Sequence, residues 1–380
     1  MSDRPAPSSS APIVLAAGGT GGHMFPAEAL ARALIARGQG VLLVTDIRGK
    51  AFGDAMPEVA VERVRCATAA PGILGKVRMA VELARGTLQA MALLKRVAPP
   101  VVVGFGGYPS APTVLAAQRL GIPVVLHEQN AVLGRANRLL SRQARRFCTS
   151  YDSVKGLEAV AADRVVRTGN PVRPAIVTLR DRPYAAPVPG GSLNLLVTGG
   201  SQGAAIFGEV VPRAVEMLGE DLRARLSIVQ QARAENIQAA TQAYRAMGVQ
   251  ATLSPFFRDM PDRLAACHLM VARSGAGTVS ELTVVGRPSI LVPYQHAMDD
   301  HQTANARALA AAGGAWVVPQ PDFTAEGLAA RLHALLADPS PLAAMAAAAH
   351  AWGMPDAGER LADAVLEIAY PTPSDRRTAA

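Results

Sequence analysis

Short runs of apolar residues recur along the chain, each ending in glycines or polar residues and each leading into a segment with helically spaced apolar positions. The runs are Ile13-Val14-Leu15-Ala16-Ala17, then 41–44, 101–103, 124–126 and 147–148, and later 193–198, 227–229, 269–272, 289–292 and 316–318. Runs without polar alternation predict strands buried on both faces, and their alternation with helices predicts parallel sheets. The first helix is expected over 26–37, stopping at Gly38. Around Gly169-Asn170-Pro171-Val172-Arg173-Pro174 the pattern breaks into a Pro/Gly-rich stretch reaching Gly191, and it restarts at Leu193. The expectation is an α/β chain of two Rossmann-like doubly wound parallel-sheet domains, 11–173 and 174–354, facing a central cleft. A last helix over 355–370 would pack back on the first domain, between tails at 1–10 and 371–380.

Two of the runs end in glycine turns of similar design, Gly18-Gly19-Thr20-Gly21-Gly22-His23 and Gly199-Gly200-Ser201-Gln202-Gly203-Ala204. A strand that turns through glycines directly into a helix aims unpaired N–H groups at one point, and that point favours anions. Phe105-Gly106-Gly107-Tyr108 and Arg273-Ser274-Gly275-Ala276-Gly277-Thr278 follow two further strands. Ligands of doubly wound sheets bind at the carboxyl ends of the strands, so all four loops would face ligand. The dinucleotide spacing Gly-x-Gly-x-x-Gly fails, because the third glycine would fall at Met24, and no lysine-bearing P-loop exists.

At 380 residues and 50% hydrophobic composition the chain can fill two cores, although aromatics are only 4%. The net charge is +8, and lysine occurs only at Lys50, Lys76, Lys95 and Lys155. An arginine-rich, lysine-poor chain is read equally well as compositional bias or as a match for anionic partners. Cys66, Cys148 and Cys267 are scattered, without metal-ligand or disulfide spacing. No apolar run of 18 residues occurs, so any membrane contact would be peripheral.

Leu74, Val77, Val81, Ala84, Leu88 and Met91 share one helical face, rimmed by Lys76, Arg78, Arg85, Lys95 and Arg96. Core packing is the default for such a face, and a basic-rimmed patch on anionic lipid is the alternative. Arg135, Arg138, Arg142 and Arg145 are spaced as one helical stripe. His127-Glu128-Gln129-Asn130 puts a polar cluster at the end of an apolar strand. His296, Asp299, Asp300 and His301 offer metal-ligand types with no second cluster. Glu281, one turn into a helix, is read either as a ligand for sugar hydroxyls or as a helix-dipole complement.

Together the motifs resemble the MurG family of GT-B glycosyltransferases: residues 18–23, Gly106-Gly107-Tyr108, 127–130, 169–173, 199–204, 273–281, and His301-Gln302 with Asn305-Ala306. They span nearly the whole chain apart from the tails. The resemblance implies inverting transfer of GlcNAc from UDP-GlcNAc to the muramyl sugar of lipid I, giving lipid II in peptidoglycan synthesis. A UDP-GlcNAc 2-epimerase of the same fold is the alternative. By resemblance Thr20, Gly21, Gly22 and Asn130 serve the acceptor side. Arg173, Ser201, Phe257, Ala276, Gly277, Thr278, Val279, Ser280, Glu281 and Gln302 would hold the sugar nucleotide, with Glu281 on the ribose, the Phe257 main chain on uracil and Gln302 on GlcNAc hydroxyls. N–H donors at 199–203 and 276–278 would meet the leaving diphosphate. His23 is the candidate base and Glu128 the reserve. No metal site or tightly bound cofactor is implied, and a free divalent cation is left open. The implied partners are an anionic membrane surface at its cytoplasmic face and proteins of cell-wall synthesis and division, with no nucleic acid. Gly277 departs from the bulkier apolar residue frequent in the family, which would loosen the loop around it.

Overall fold

The computed structural model describes residues 11–19, 21–46, 56–66, 72–200 and 203–371. The chain divides into two compact units, Met1–Arg173 with Asp356–Ala380, and Pro174–Pro355.

The first unit runs β1 (Ile13–Ala16), α1 (Gly21–Ala36), β2 (Val41–Asp46), β3 (Ala60–Val64), α2 (Gly72–Val97), β4 (Val102–Gly104), α3 (Gly107–Arg119), β5 (Val124–Glu128), α4 (Arg135–Leu140), β6 (Arg146–Thr149) and β7 (Val165–Arg167). Among the described residues its seven strands are parallel, in the order β3-β2-β1-β4-β5-β6-β7. Central strands β1, β2, β4 and β5 are buried at every position, the direct cause of their unbroken apolar sequence.

The second unit runs α5 (Pro174–Val177), β8 (Leu193–Thr198), α6 (Ala205–Glu216), α7 (Glu220–Arg223), β9 (Leu226–Gln231), α8 (Ala234–Ala246), β10 (Gln250–Ser254), α9 (Met260–Ala266), β11 (Leu269–Ala272), α10 (Ala276–Val285), β12 (Ser289–Leu291), α11 (His301–Ala311), β13 (Ala315–Val317), α12 (Ala325–Ala337) and α13 (Ser340–Trp352). The parallel strand order is β10-β9-β8-β11-β12-β13. Both sheets therefore reverse direction once, beside their first strand, between β1 and β4 and between β8 and β11. Each reversal leaves a crevice at the carboxyl ends of those strands, where this architecture binds ligands.

A final helix, α14 (Ala357–Ala369), belongs to the first unit. It buries Leu361, Ala362 and Val365 in the same core as Leu30 and Leu34. Arg37 pairs with Glu359 and Asp363, Arg146 pairs with Glu367, and the Tyr370 hydroxyl donates to Gln39.

Three expectations need correction. The α2 face is not core: Ile73 is 81% exposed, Leu74 86% and Leu88 66%, with Val77 and Val81 also exposed. Only the carboxyl half of α2 is anchored, through Gly86, Thr87, Ala90, Leu93 and Leu94. The arginine stripe is broken because α4 ends at Leu140; Arg142 lies on a single 3-10 turn and Arg145 follows it. Finally, α1 begins at Gly21, five residues before the expected start, so Gly21, Gly22 and His23 form its first turn.

Candidate functional site

In the first unit the crevice is built by β1, β4 and β5. A Cβ at Gly18 would stand 2.7 Å from Pro109 Cβ and 2.8 Å from Thr45 Oγ1, so the turn after β1 lies against the start of α3 only because it has no side chain there. Gly107, at φ 71°, lies against His23 less tightly: a Cβ would meet the ring's Nε2 and Cδ2 at 3.2 Å. Among the described residues nothing accepts from the main-chain N–H groups of Gly21, Gly22 and His23, the orphan donors of a helix start. Thr20 lies outside the described residues.

Behind this turn runs a buried polar chain. His23 Nδ1 lies 3.1 Å from Gln129 Oε1, and Gln129 Nε2 lies 3.0 Å from His127 Nδ1 and 3.0 Å from the Phe105 carbonyl oxygen. His127 Nε2 is 2.9 Å from the Gly169 carbonyl. Burial of His127, opposed by the Gly169 contact and reinforced by the nearby His23, lowers its pKa from 6.5 to about 4.

Glu128 is buried and fully engaged. Its Oε1 accepts from the Asn130 N–H (3.1 Å) and side-chain amide (3.2 Å), and its Oε2 from the Gly134 N–H (3.0 Å) and Asn137 Nδ2 (2.9 Å). The carboxylate thus shapes the loop between β5 and α4 and sets Asn130. Arg173 reaches back over the Phe25 ring, 5.2 Å from its centroid, which puts it beside α1.

In the second unit Gln231, at the end of β9, links two loops. Its Oε1 accepts from the Thr198 hydroxyl (2.8 Å) and the Gly199 N–H (3.1 Å), and its Nε2 donates to the Pro255 carbonyl (3.1 Å). Phe257 follows, its ring buried under the Arg263 guanidinium at 4.2 Å. Neither its main-chain N–H nor its C=O bonds to a described residue. At the end of β11, Ser274 donates to the Gln302 carbonyl (2.8 Å) and accepts from Asn305 Nδ2 (3.1 Å). Gln302 Oε1 accepts from the Tyr294 N–H (3.0 Å), which turns its side-chain NH2 to the other side. Arg273 donates to the Val292 and Pro293 carbonyls between the Phe207 and Tyr294 rings.

The two loops expected to offer N–H donors differ in how many of those groups already have acceptors. The N–H groups of Ala276, Gly277 and Thr278 open α10, with Gly275 as an N-cap that supplies no side chain, and no described residue accepts from them. In contrast, Gly199 donates to Gln231, Gly200 to Thr198 Oγ1 and Gly203 to the Gly200 carbonyl. Those three donors already have acceptors on β9, on β8 and within the turn, and Ser201 lies outside the described residues.

Val279 is fully buried and its N–H donates to the Gly275 carbonyl, so its side chain packs in the core. Ser280 bonds back to the Ala276 carbonyl at 2.9 Å, and Glu281 is half-buried on the same helix. Gly277 is an ordinary second residue of α10 with nothing within 4 Å of a Cβ position, so no packing partner is missing.

His301 Nδ1 meets the Met298 carbonyl and Asp300 takes the Thr303 hydroxyl. Among the described residues no cluster of three His, Cys, Asp or Glu side chains is arranged to hold a metal.

Two family models match: the glycosyltransferase family 28 N-terminal domain over 13–149 and its C-terminal domain over 194–361. The chain belongs to glycosyltransferase family 28. A relative of this family 28 chain, from Rhodospirillum centenum, is 71% identical over 95% of both chains. It is named UDP-N-acetylglucosamine–N-acetylmuramyl-(pentapeptide) pyrophosphoryl-undecaprenol N-acetylglucosamine transferase. The protein of the same name from Rhodospirillum rubrum is 51% identical over 94% of this chain and 92% of its own. Among solved structures, Acinetobacter baumannii MurG aligns with a TM-score of 0.75 at 31% identity, covering 93% of this glycosyltransferase and 99% of that chain. A UDP-GlcNAc 2-epimerase from Neisseria meningitidis shares the fold at TM-score 0.67 and 14% identity, over 93% and 99% of the two chains.

Sequence reasoning missed Gln231 and Asn137, which shape the loops. The signal for Gln231 was available: the pair Gln230-Gln231 closes a strand whose other inward positions are apolar. Asn137 was hidden among the arginines of α4.

Proposed function

We propose that this transferase moves GlcNAc from UDP-GlcNAc to the muramyl sugar of lipid I, inverting the anomeric centre, at the cytoplasmic face of the membrane. The 71% identity to the R. centenum enzyme across 95% of both chains carries the reading, and the geometry supports the individual roles. Uracil presents an acceptor beside an N–H donor, and the unused N–H and C=O of Phe257 complement that edge. The free N–H groups of Ala276, Gly277 and Thr278 would meet the diphosphate, whose charge rises as the sugar leaves; one such donor is worth about 2.7–4 kcal/mol in a transition state. Glu281 would accept from the ribose hydroxyls and the Gln302 amide would donate to the GlcNAc hydroxyls. Arg173 and Ser201 complete the nucleotide side on the family pattern alone.

On the acceptor side, the N–H groups of Gly21 and Gly22, with Thr20 and Asn130, would cradle the lipid pyrophosphate. His23 would take the acceptor proton through Nε2. Glu128 is less suited to that role, because both its oxygens already hold two N–H groups each. No resident cofactor enters the reading, and a free divalent cation accompanying UDP is compatible with it. The exposed amino-terminal half of α2, with Lys76, Arg78 and Arg85 beside its apolar side chains, would rest on anionic lipid; no described helix is long and apolar enough to cross a bilayer.

His23→Ala tests the base. Turnover with a short-chain lipid I analogue is expected to fall by about 10²–10⁴ with UDP-GlcNAc binding retained, and undiminished turnover would remove His23 from the role.

A further inference from the structure

A histidine can serve as a base through Nε2 only if the neutral ring carries its proton on Nδ1, whereas a free imidazole prefers the opposite tautomer. We infer that Gln129 is a positioning residue that holds His23 in the Nδ1–H tautomer, leaving the Nε2 lone pair open beside Gly107. The inference rests on the base reading above for its catalytic meaning, but the tautomer follows from the hydrogen bonds alone.

The orientation of the Gln129 amide decides the matter. Its nitrogen lies 3.0 Å from the Phe105 carbonyl oxygen and 3.2 Å from the His127 carbonyl oxygen, two groups that can only accept. The NH2 must therefore face them, and the amide oxygen must face His23. An amide oxygen cannot donate, so His23 Nδ1 at 3.1 Å supplies the proton. The other end of the chain is consistent. The Gln129 NH2 also reaches His127 Nδ1, which then accepts, and His127 Nε2 donates to the Gly169 carbonyl at 2.9 Å. That assignment requires a neutral His127, as its burial dictates. His127 thus fixes the amide, and the amide fixes the base.

The exposed side of the ring agrees with this role. His23 Nε2 has no bonded partner among the described residues. A Cβ at Gly107 would press on it at 3.2 Å, so the glycine keeps its approach clear. The same logic of nucleophile, base and orienting acceptor operates with a carboxylate elsewhere. Here a neutral amide fixes the ring's orientation in place of that carboxylate.

The test is ¹⁵N NMR of the full-length protein labelled at histidine, with His23→Ala assigning the resonance and Gln129→Met removing the acceptor. In the wild type the neutral form of the His23 ring is expected to carry its proton on Nδ1. In Gln129→Met the Nε2–H form should dominate, with kcat down roughly 10²-fold or more and KM for UDP-GlcNAc unchanged. A wild-type resonance with the proton on Nε2 overturns the inference whether or not the variant folds, and so does an unaltered tautomer in folded Gln129→Met. If the wild type shows Nδ1–H while His23→Ala turns over normally, the base reading falls and the tautomer assignment stands.

Discussion

Gly277 and Glu128 show how far residue type alone can mislead. Gly277 suggests a loosened loop, yet it occupies a regular helical position with open space where a Cβ would go. Gly277→Ala should therefore stabilise the protein by about 0.4–1 kcal/mol, seen as a higher thermal midpoint, because it removes unfolded-chain freedom without a clash. Glu128 has the chemistry of a base, but its four N–H partners were invisible in the sequence because Gly134 and Asn137 come from the following loop and helix. Glu128→Gln would turn an NH2 against one of those donors. A loss of about 1–3 kcal/mol in unfolding free energy is expected, with any activity loss tracking the Asn130 loop. His127 gives a pH signature. Its pKa is 6.5 unfolded and about 4 folded, so between those values the unfolded chain binds more protons. Stability should fall as pH drops from 6.5 to 4, with a slope of up to about 1.4 kcal/mol per pH unit from this group, and remain flat above. Denaturant titrations of wild type and His127→Gln across that range should differ by that slope.

At the scale of elements, buried strands were legible, and of the four edge strands only β13 was, as the run 316–318. β1, β2, β5, β8 and β11 sit inside the sheets and read as continuous apolar runs. The unanticipated strands β3, β7 and β10 are sheet edges, largely half-buried or exposed, so polar residues interrupt any pattern. The face of α2 was legible as apolar, but periodicity alone does not say what covers a face. If lipid covers it, Leu74→Glu with Val77→Glu should abolish sedimentation with anionic vesicles and leave UDP binding intact, since burying each such side chain is worth about 1.5–3 kcal/mol. Raised salt should weaken the wild-type binding through Lys76, Arg78 and Arg85. Arg287 joins two helix ends: its buried guanidinium donates to Leu264 and Ala265 at the end of α9 and to Val285 and Gly286 at the end of α10. Arg287→Met would strand those carbonyls and should cost at least about 2 kcal/mol in a chemical denaturation curve.

For the whole molecule, the same sheet order appears twice, and each reversal point gathers the glycine loops of its own unit. The repeat made the two turns look equivalent in sequence. Hydrogen bonding separates them: the N–H groups of Gly199, Gly200 and Gly203 are taken by Gln231, Thr198 and Gly200, whereas those of Gly21 and Gly22 meet no described acceptor and His23 comes to Gly107. Symmetry of backbone design therefore coexists with different chemistry in the two units. The most direct test is transfer of labelled GlcNAc from UDP-GlcNAc to a short-chain lipid I analogue by the full-length protein. A β-linked disaccharide product, formed only with both substrates present, is expected. UDP binding without transfer, or conversion of UDP-GlcNAc to its 2-epimer in the absence of acceptor, would contradict it.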